Sequence, residues 1–135
     1  MSEAFVRGFD KNTFNWGLGG DILRGPYVLR CLNDPPCDGK SIDHYKKYYT
    51  GLNVHFSSGI FNKVFYLVSM GLQKGIRQAF DVFYMANTRY WSRNTDFKSA
   101  AALTLKAASH LKQGMPLERG LQHARAGRLR QRLQA

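Results

Sequence analysis

Residues 59–70, GIFNKVFYLVSM, constrain the fold of this chain more than any other stretch. Ile60, Phe61, Val64, Phe65, Leu67 and Val68 cover most of the circumference of a helix. A helix apolar on nearly every side must be surrounded by other elements, so this one belongs at the centre of a packed domain. Immediately before it, NVHFSS follows the turn residue Gly51 and sets His55 at the mouth of the most hydrophobic helix. Two readings compete for that ring. It is either a core histidine with a satisfied partner or a group aimed outside the chain.

The rest of the sequence supplies the surrounding elements. Ile76, Ala79, Phe80, Phe83, Ala86 and Tyr90 recur at three- and four-residue steps and predict an amphipathic helix. Thr95 or Asp96 caps a further helix in DFKSAAALTLKAASHL, whose alanines allow close helix approach. Ser41 suits the cap of a short helix over 42–49, which Gly51 ends. Pro116 suits the first turn of a last helix over 117–133. Residues 8–40 read as a long irregular loop, broken by Pro26, Pro35, Pro36 and Gly39. No stretch shows clear strand alternation. The expected fold is all-α, a helical bundle with one long loop.

Composition narrows the class of function. Nine Phe, seven Tyr and two Trp in 135 residues exclude a disordered tail and suffice for one domain with a real core. The net charge of +11 points at first to an anionic partner. However, residues 115–135 hold five arginines against one glutamate, and the other cations are scattered along amphipathic segments. That distribution suits a solvated face, so neither a specific nucleic-acid partner nor a membrane is expected. No apolar stretch reaches spanning length, and no basic-then-apolar leader opens the chain. Cys31 and Cys37 in RCLNDPPCDG allow a local disulfide or two free thiols, and the intervening prolines favour the disulfide.

Several separated motifs occur in one order: LRCLNDPPCDGKSID, then SIDHYKKYYTGLNVHFSSGIFNKVFYL, then AFDVFYMANTRYWSRNTDF and KAASHL. Together, from about residue 5 to residue 111, they resemble the C-terminal helical lobe of the thermolysin family of zinc endopeptidases. The likeness is greatest to the pseudolysin and vibriolysin branch. It implies a two-lobed peptidase with its zinc site in the cleft, a peptide or protein substrate, and secretion. It also implies a division into residues 1–112, the helical lobe, and 113–135, a divergent basic tail.

The resemblance assigns roles to four residues. His55, in NVHFSSG, takes the position of the histidine that donates a hydrogen bond to the oxyanion of the tetrahedral intermediate. Asn53 stands where relatives often carry an Asp and would orient that ring, since its carbonyl can accept a ring N–H. Arg30, in VLRCLNDP, matches the arginine that grips the carbonyl of the residue after the scissile bond, a task for the fixed fork of a guanidinium. Leu29 would help to wall the apolar pocket beside it. The resemblance thus sets His55 on a concave surface with Arg30 on the same side, among exposed apolar groups that include Phe56 and Leu29.

Other family features are absent. His44, His55, His110 and His123 are the only histidines, and none forms the H-E-x-x-H that supplies two zinc ligands and a general base. Zinc is therefore expected on the N-terminal lobe of the family enzyme, as a partner to this chain, and the chain alone is expected to be inactive. Glu3 resembles a calcium-binding glutamate of the family, but Asn15 stands where relatives offer an Asp, so the calcium site is incomplete. The alternative function is a non-catalytic basic helical binding module or a degenerate peptidase remnant.

Overall fold

The computed structural model describes residues 5–10, 14–72 and 75–111. Two residues of strand on each side, β1 (Gly17–Leu18) and β2 (Arg30–Cys31), pair antiparallel, with Gly17 opposite Cys31 and Leu18 opposite Arg30. Single-turn 3-10 helices follow at Pro35–Asp38 and Tyr45–Lys47. The α-helices are α1 (Val54–Ser57), α2 (Gly59–Gly71), α3 (Ile76–Met85) and α4 (Phe97–His110). A π turn over Ala86–Tyr90 extends α3. The helical class expected from the sequence is the one observed, and the two-residue ladder is too short to show alternation.

Helix α2 is the centre of the molecule. Ile60, Val64 and Val68 are wholly enclosed, Phe65 nearly so, and Met70 is exposed near the helix end. Helix α3 packs against α2 and α4 packs against α3. Ala79, Val82 and Ala86 come from one side and Ala101 and Ala107 from the other, all at zero exposure. Small side chains at these contacts let the helix backbones approach. The polar groups trapped in the core are satisfied within their own helices: Ser69 Oγ donates to the Phe65 carbonyl at 2.8 Å and Thr104 Oγ1 to that of Ala100 at 2.7 Å.

Two expected elements differ. Residues 42–49 form no α-helix. Ser41 is held by Asp38, and the Tyr45–Lys47 turn is capped by His44, whose Nδ1 accepts the Lys46 N–H at 3.1 Å. Those local bonds take the groups that a longer helix would have used. The helix predicted through Tyr90 runs as α-helix only to Met85, and the Trp91 N–H bonds back to the Ala86 carbonyl at 2.8 Å to close the π turn. The cap of α4 is Asp96, which accepts the Ser99 N–H at 2.7 Å, while Thr95 Oγ1 accepts the Ser92 N–H. Glu3 and the helix expected over 117–133 lie outside the described residues.

The point at which the loops meet the core is Gly59. A Cβ there would overlap the Ile42 carbonyl oxygen and press on Pro35 at 3.0 Å. Only glycine lets α2 begin this close to the segment that carries Pro35 and Ile42. Because α2 starts at Gly59, this approach also seats α1 against the same segment, where the Ile42 N–H donates to the Phe56 carbonyl at 3.1 Å.

Candidate functional site

Gly51, at φ 91° with open space around it, makes a left-handed turn that an L side chain rarely adopts. Asn53 follows as the cap of α1, its Oδ1 accepting the His55 backbone N–H at 2.9 Å. The family resemblance implied that this oxygen accepts from the ring of His55. In the structure it holds the backbone, so Asn53 positions His55 by fixing the turn on which the ring stands. Ser57 Oγ and Ser58 Oγ donate to the Val54 and His55 carbonyls, tying α1 directly into α2.

His55 itself is exposed, as are Asn53 and Val54. Among the described residues no hydrogen bond or ion pair is made by its ring. A core histidine would be enclosed, and this one is exposed. The next side chain, Phe56, is half-buried, and its carbonyl accepts the Ile42 N–H at 3.1 Å.

Arg30 reaches the same place from the other side. Its guanidinium carbon lies 6.0 Å from the Phe56 ring centroid, and Lys40 Nζ lies 5.9 Å from it. Such distances suit a weak cation–π attraction. Arg30, on β2, is thus brought beside Phe56, the residue that follows His55 on α1. Leu29 is 49% exposed, and its backbone is held at both ends, the N–H donating to Leu18 O and the carbonyl accepting from Arg30 Nη1, each at 2.7 Å.

Asp38 and the cysteines were not legible as parts of this site. Cys31 and Cys37 form a disulfide, with Cα atoms 6.2 Å apart. Asp38 lies on the Pro35–Asp38 turn with its Oδ2 3.6 Å from Arg30 Nη1. Burial pushes its carboxyl up, but the Ser41 hydroxyl, the Ser41 and Lys40 backbone N–H groups and the Arg30 charge outweigh burial. They lower it from 3.8 to about 2. The signal present in the sequence was DGKS, an aspartate with a serine three residues on, which is the pattern of a side chain capping its own turn.

A family model described as the thermolysin metallopeptidase alpha-helical domain matches residues 1–121. The chain belongs to that family. It is 43% identical to the neutral protease of Vibrio proteolyticus over 82% of this chain and 19% of the relative. It is 40% identical to the hemagglutinin/proteinase of Vibrio cholerae, over 82% of this chain and 17% of that protein. A zinc metalloprotease of Helicobacter pylori is also 40% identical, over 82% of this chain and 41% of its own length. The chain therefore spans about a fifth of the Vibrio relatives, and what it matches in them is one helical domain.

Whether this thermolysin-type helical domain itself fits zinc can be judged from its donor set. Among the described residues no three His, Cys, Asp or Glu side chains converge as a metal site requires. H-E-x-x-H is absent from the sequence. The donors that the described residues bring together do not fit zinc. Asn15, the residue that the resemblance set at a calcium site, turns its Oδ1 onto the Gly17 N–H at 3.0 Å. What the site does present is an exposed imidazole and a fixed guanidinium, both able to donate hydrogen bonds to oxygen.

Proposed function

We propose that this domain forms the substrate-facing helical side of a peptidase cleft. His55 donates a ring N–H to the oxygen that gains negative charge as a peptide carbonyl is attacked. Arg30 donates to the carbonyl of the following residue, and Leu29 offers an apolar surface to that residue's side chain. Asn53 positions His55 through the backbone. The observation that supports this reading best is the exposed His55 ring on a capped turn, with Arg30 drawn to the adjoining Phe56. Rigid support matters because misplacing a catalytic donor by about 1 Å can cost on the order of a hundredfold in rate.

In this reading the substrate is a peptide or protein, and the partner is the N-terminal lobe of a secreted thermolysin-type peptidase. Residues 1–112 make up the lobe and 113–135 a basic extension. The 135-residue chain incubated with zinc and casein is expected to show no turnover. A chimera in which residues 1–121 replace the matching segment of the Vibrio proteolyticus neutral protease is expected to cleave casein. In that chimera His55→Ala lowers kcat by about a hundred- to a thousandfold, the usual cost of one oxyanion donor. Arg30→Ala raises KM. An active chimera indifferent to His55→Ala, or zinc-dependent turnover by the chain alone, would overturn the reading.

A further inference from the structure

We propose that Asp38 is a positioning residue for Arg30 and that the Cys31–Cys37 disulfide is the clasp that holds the two together. The proposal deepens the reading above and rests on Arg30 being the group that grips the substrate carbonyl. Its basis is a juxtaposition of consecutive residues. Arg30 and Cys31 are the two residues of β2, and Cys37 and Asp38 are the last two of the Pro35–Asp38 turn. The disulfide therefore joins the residue after Arg30 to the residue before Asp38. Bridging the first pair leaves the second pair facing each other, with Arg30 Nη1 3.6 Å from Asp38 Oδ2.

Both members of this pair are largely enclosed, their side chains 20% and 15% exposed. The carboxylate is itself immobilised. Oδ1 accepts the Lys40 N–H at 2.9 Å and the Ser41 N–H at 2.6 Å, while Oδ2 accepts the Ser41 hydroxyl at 2.6 Å. Asp38 thus presents a fixed negative charge, ionised throughout the neutral range. On the other side Arg30 Nη1 donates to the Leu29 carbonyl at 2.7 Å. One corner of the guanidinium is committed to Leu29 and faces Asp38. Nε and Nη2 remain as the edge that a substrate carbonyl can meet.

A separation of 3.6 Å is too long for a strong hydrogen bond, so Asp38 acts on Arg30 chiefly as an oriented charge. That interaction depends on distance and on exclusion of water, and both depend on the turn staying against β2. The β1–β2 ladder cannot hold the turn there, because it consists of two residue pairs and involves neither Cys37 nor Asp38. Pro35 anchors the near end of the turn under α2, and Lys63 Nζ donates to the Asn33 carbonyl, but at the far end the covalent link is what joins Cys37, and with it Asp38, directly to β2. The neighbouring cation, Lys40, sits by the same Phe56 ring and would compete with Arg30 for Asp38 once the clasp opens.

The test uses the full 135-residue chain in two NMR measurements. The first reads solvent exchange of the Arg30 Nη–H protons. Asp38→Asn and, separately, Cys31→Ser with Cys37→Ser are each expected to speed it roughly fivefold, as fits loss of a modest ion pair. Amide exchange within α2 stays as in the parent, showing that the domain remains folded, and Asp38→Glu restores part of the protection. The second titrates N-acetyl-leucine amide and follows the Arg30 side-chain signal, where both variants are expected to weaken binding by a similar factor. Arg30 exchange unchanged by both variants would overturn the proposal. Failure of the parent chain to bind the amide would instead overturn Arg30 as the carbonyl grip, leaving the exchange result to judge the positioning.

Discussion

The helices α2 to α4 and the segment from Phe14 to Asn53 are stabilised by different means. In the helices, nine side chains from Ile60 to Ala107 among the described residues have no accessible surface, and all of them but Ile60 and Thr104 belong to one core cluster across α2, α3, the π turn and α4. Along the segment only Phe14, Gly17, Leu32, Pro35 and Ser41 are buried. What fixes the segment is a set of named bonds: a disulfide, a two-residue ladder, the Asp38 cap and the capped His44 turn. Non-directional burial tolerates exchange of one apolar group for another, whereas a cap or clasp depends on particular atoms. The residues proposed to meet substrate stand in or beside the second region. Their geometry should therefore answer to single local changes that leave the core intact.

The largest expected effect lies in the helices. Ile60 is wholly enclosed at the start of α2, one residue beyond the glycine that meets Ile42 and Pro35. Ile60→Ala removes buried methyl groups and leaves a cavity, and should cost about 2–5 kcal/mol in urea unfolding of the chain. The comparison breaks if the loss is no greater than for an exposed alanine substitution, since burial would then not be what holds α2.

The same division explains what could be read in advance. Burial leaves a periodic trace, so α2 was legible from Ile60, Val64, Phe65 and Val68, and α4 from its alanines and the Asp96 cap. The motif order likewise led to the expectation of His55 and Arg30 on one side, whereas the seat of Arg30 beside Phe56 left no trace in the sequence. Specific bonds leave a weaker trace. Ser41 reads as a helix cap, yet its hydroxyl and backbone N–H are both taken by Asp38 three residues earlier. Asn53 has one amide oxygen, and nothing in NVHF says whether the ring or the backbone of His55 will receive it. The π turn at Ala86 was hidden for another reason: its buried and exposed positions continue the three- and four-residue steps of α3.

A pair of matched caps sharpens the comparison. Asp96 and Asn53 do the same job, each accepting a backbone N–H in the first turn of a helix, but α4 is fourteen residues long and α1 four. Either cap removed by alanine should cost about 1 kcal/mol at its own helix. For Asp96→Ala that loss should appear in global unfolding, because α4 is part of the core. Asn53→Ala should instead raise amide exchange locally at His55 and Phe56, with the urea midpoint moving less than for Asp96→Ala. Equal shifts of the midpoint would show that the His55 turn is as much a part of the cooperative core as α4.

The smallest effect at neutral pH belongs to Asp38, and it emerges only in acid. Burial alone would raise its carboxyl, but the Ser41 hydroxyl, the two backbone N–H groups and Arg30 favour the charged form more strongly, giving about 2 against an ordinary 3.8. A group lowered on folding stabilises the native state in full above its unfolded value, here near 3.8, and that contribution is lost as pH falls toward 2. Asp43, lowered by its hydrogen bond from Lys47 despite some burial, adds an effect of the same sign. Between those limits the amides of residues 38–41 should lose protection before the amides of α2, because protonation removes acceptors that only the turn uses. A carboxyl NMR titration of Asp38 is the direct measurement. A midpoint near 3.8 would mean that its three donors do not hold it in solution, and the turn would then owe its place beside Arg30 to the disulfide and to the burial of Pro35.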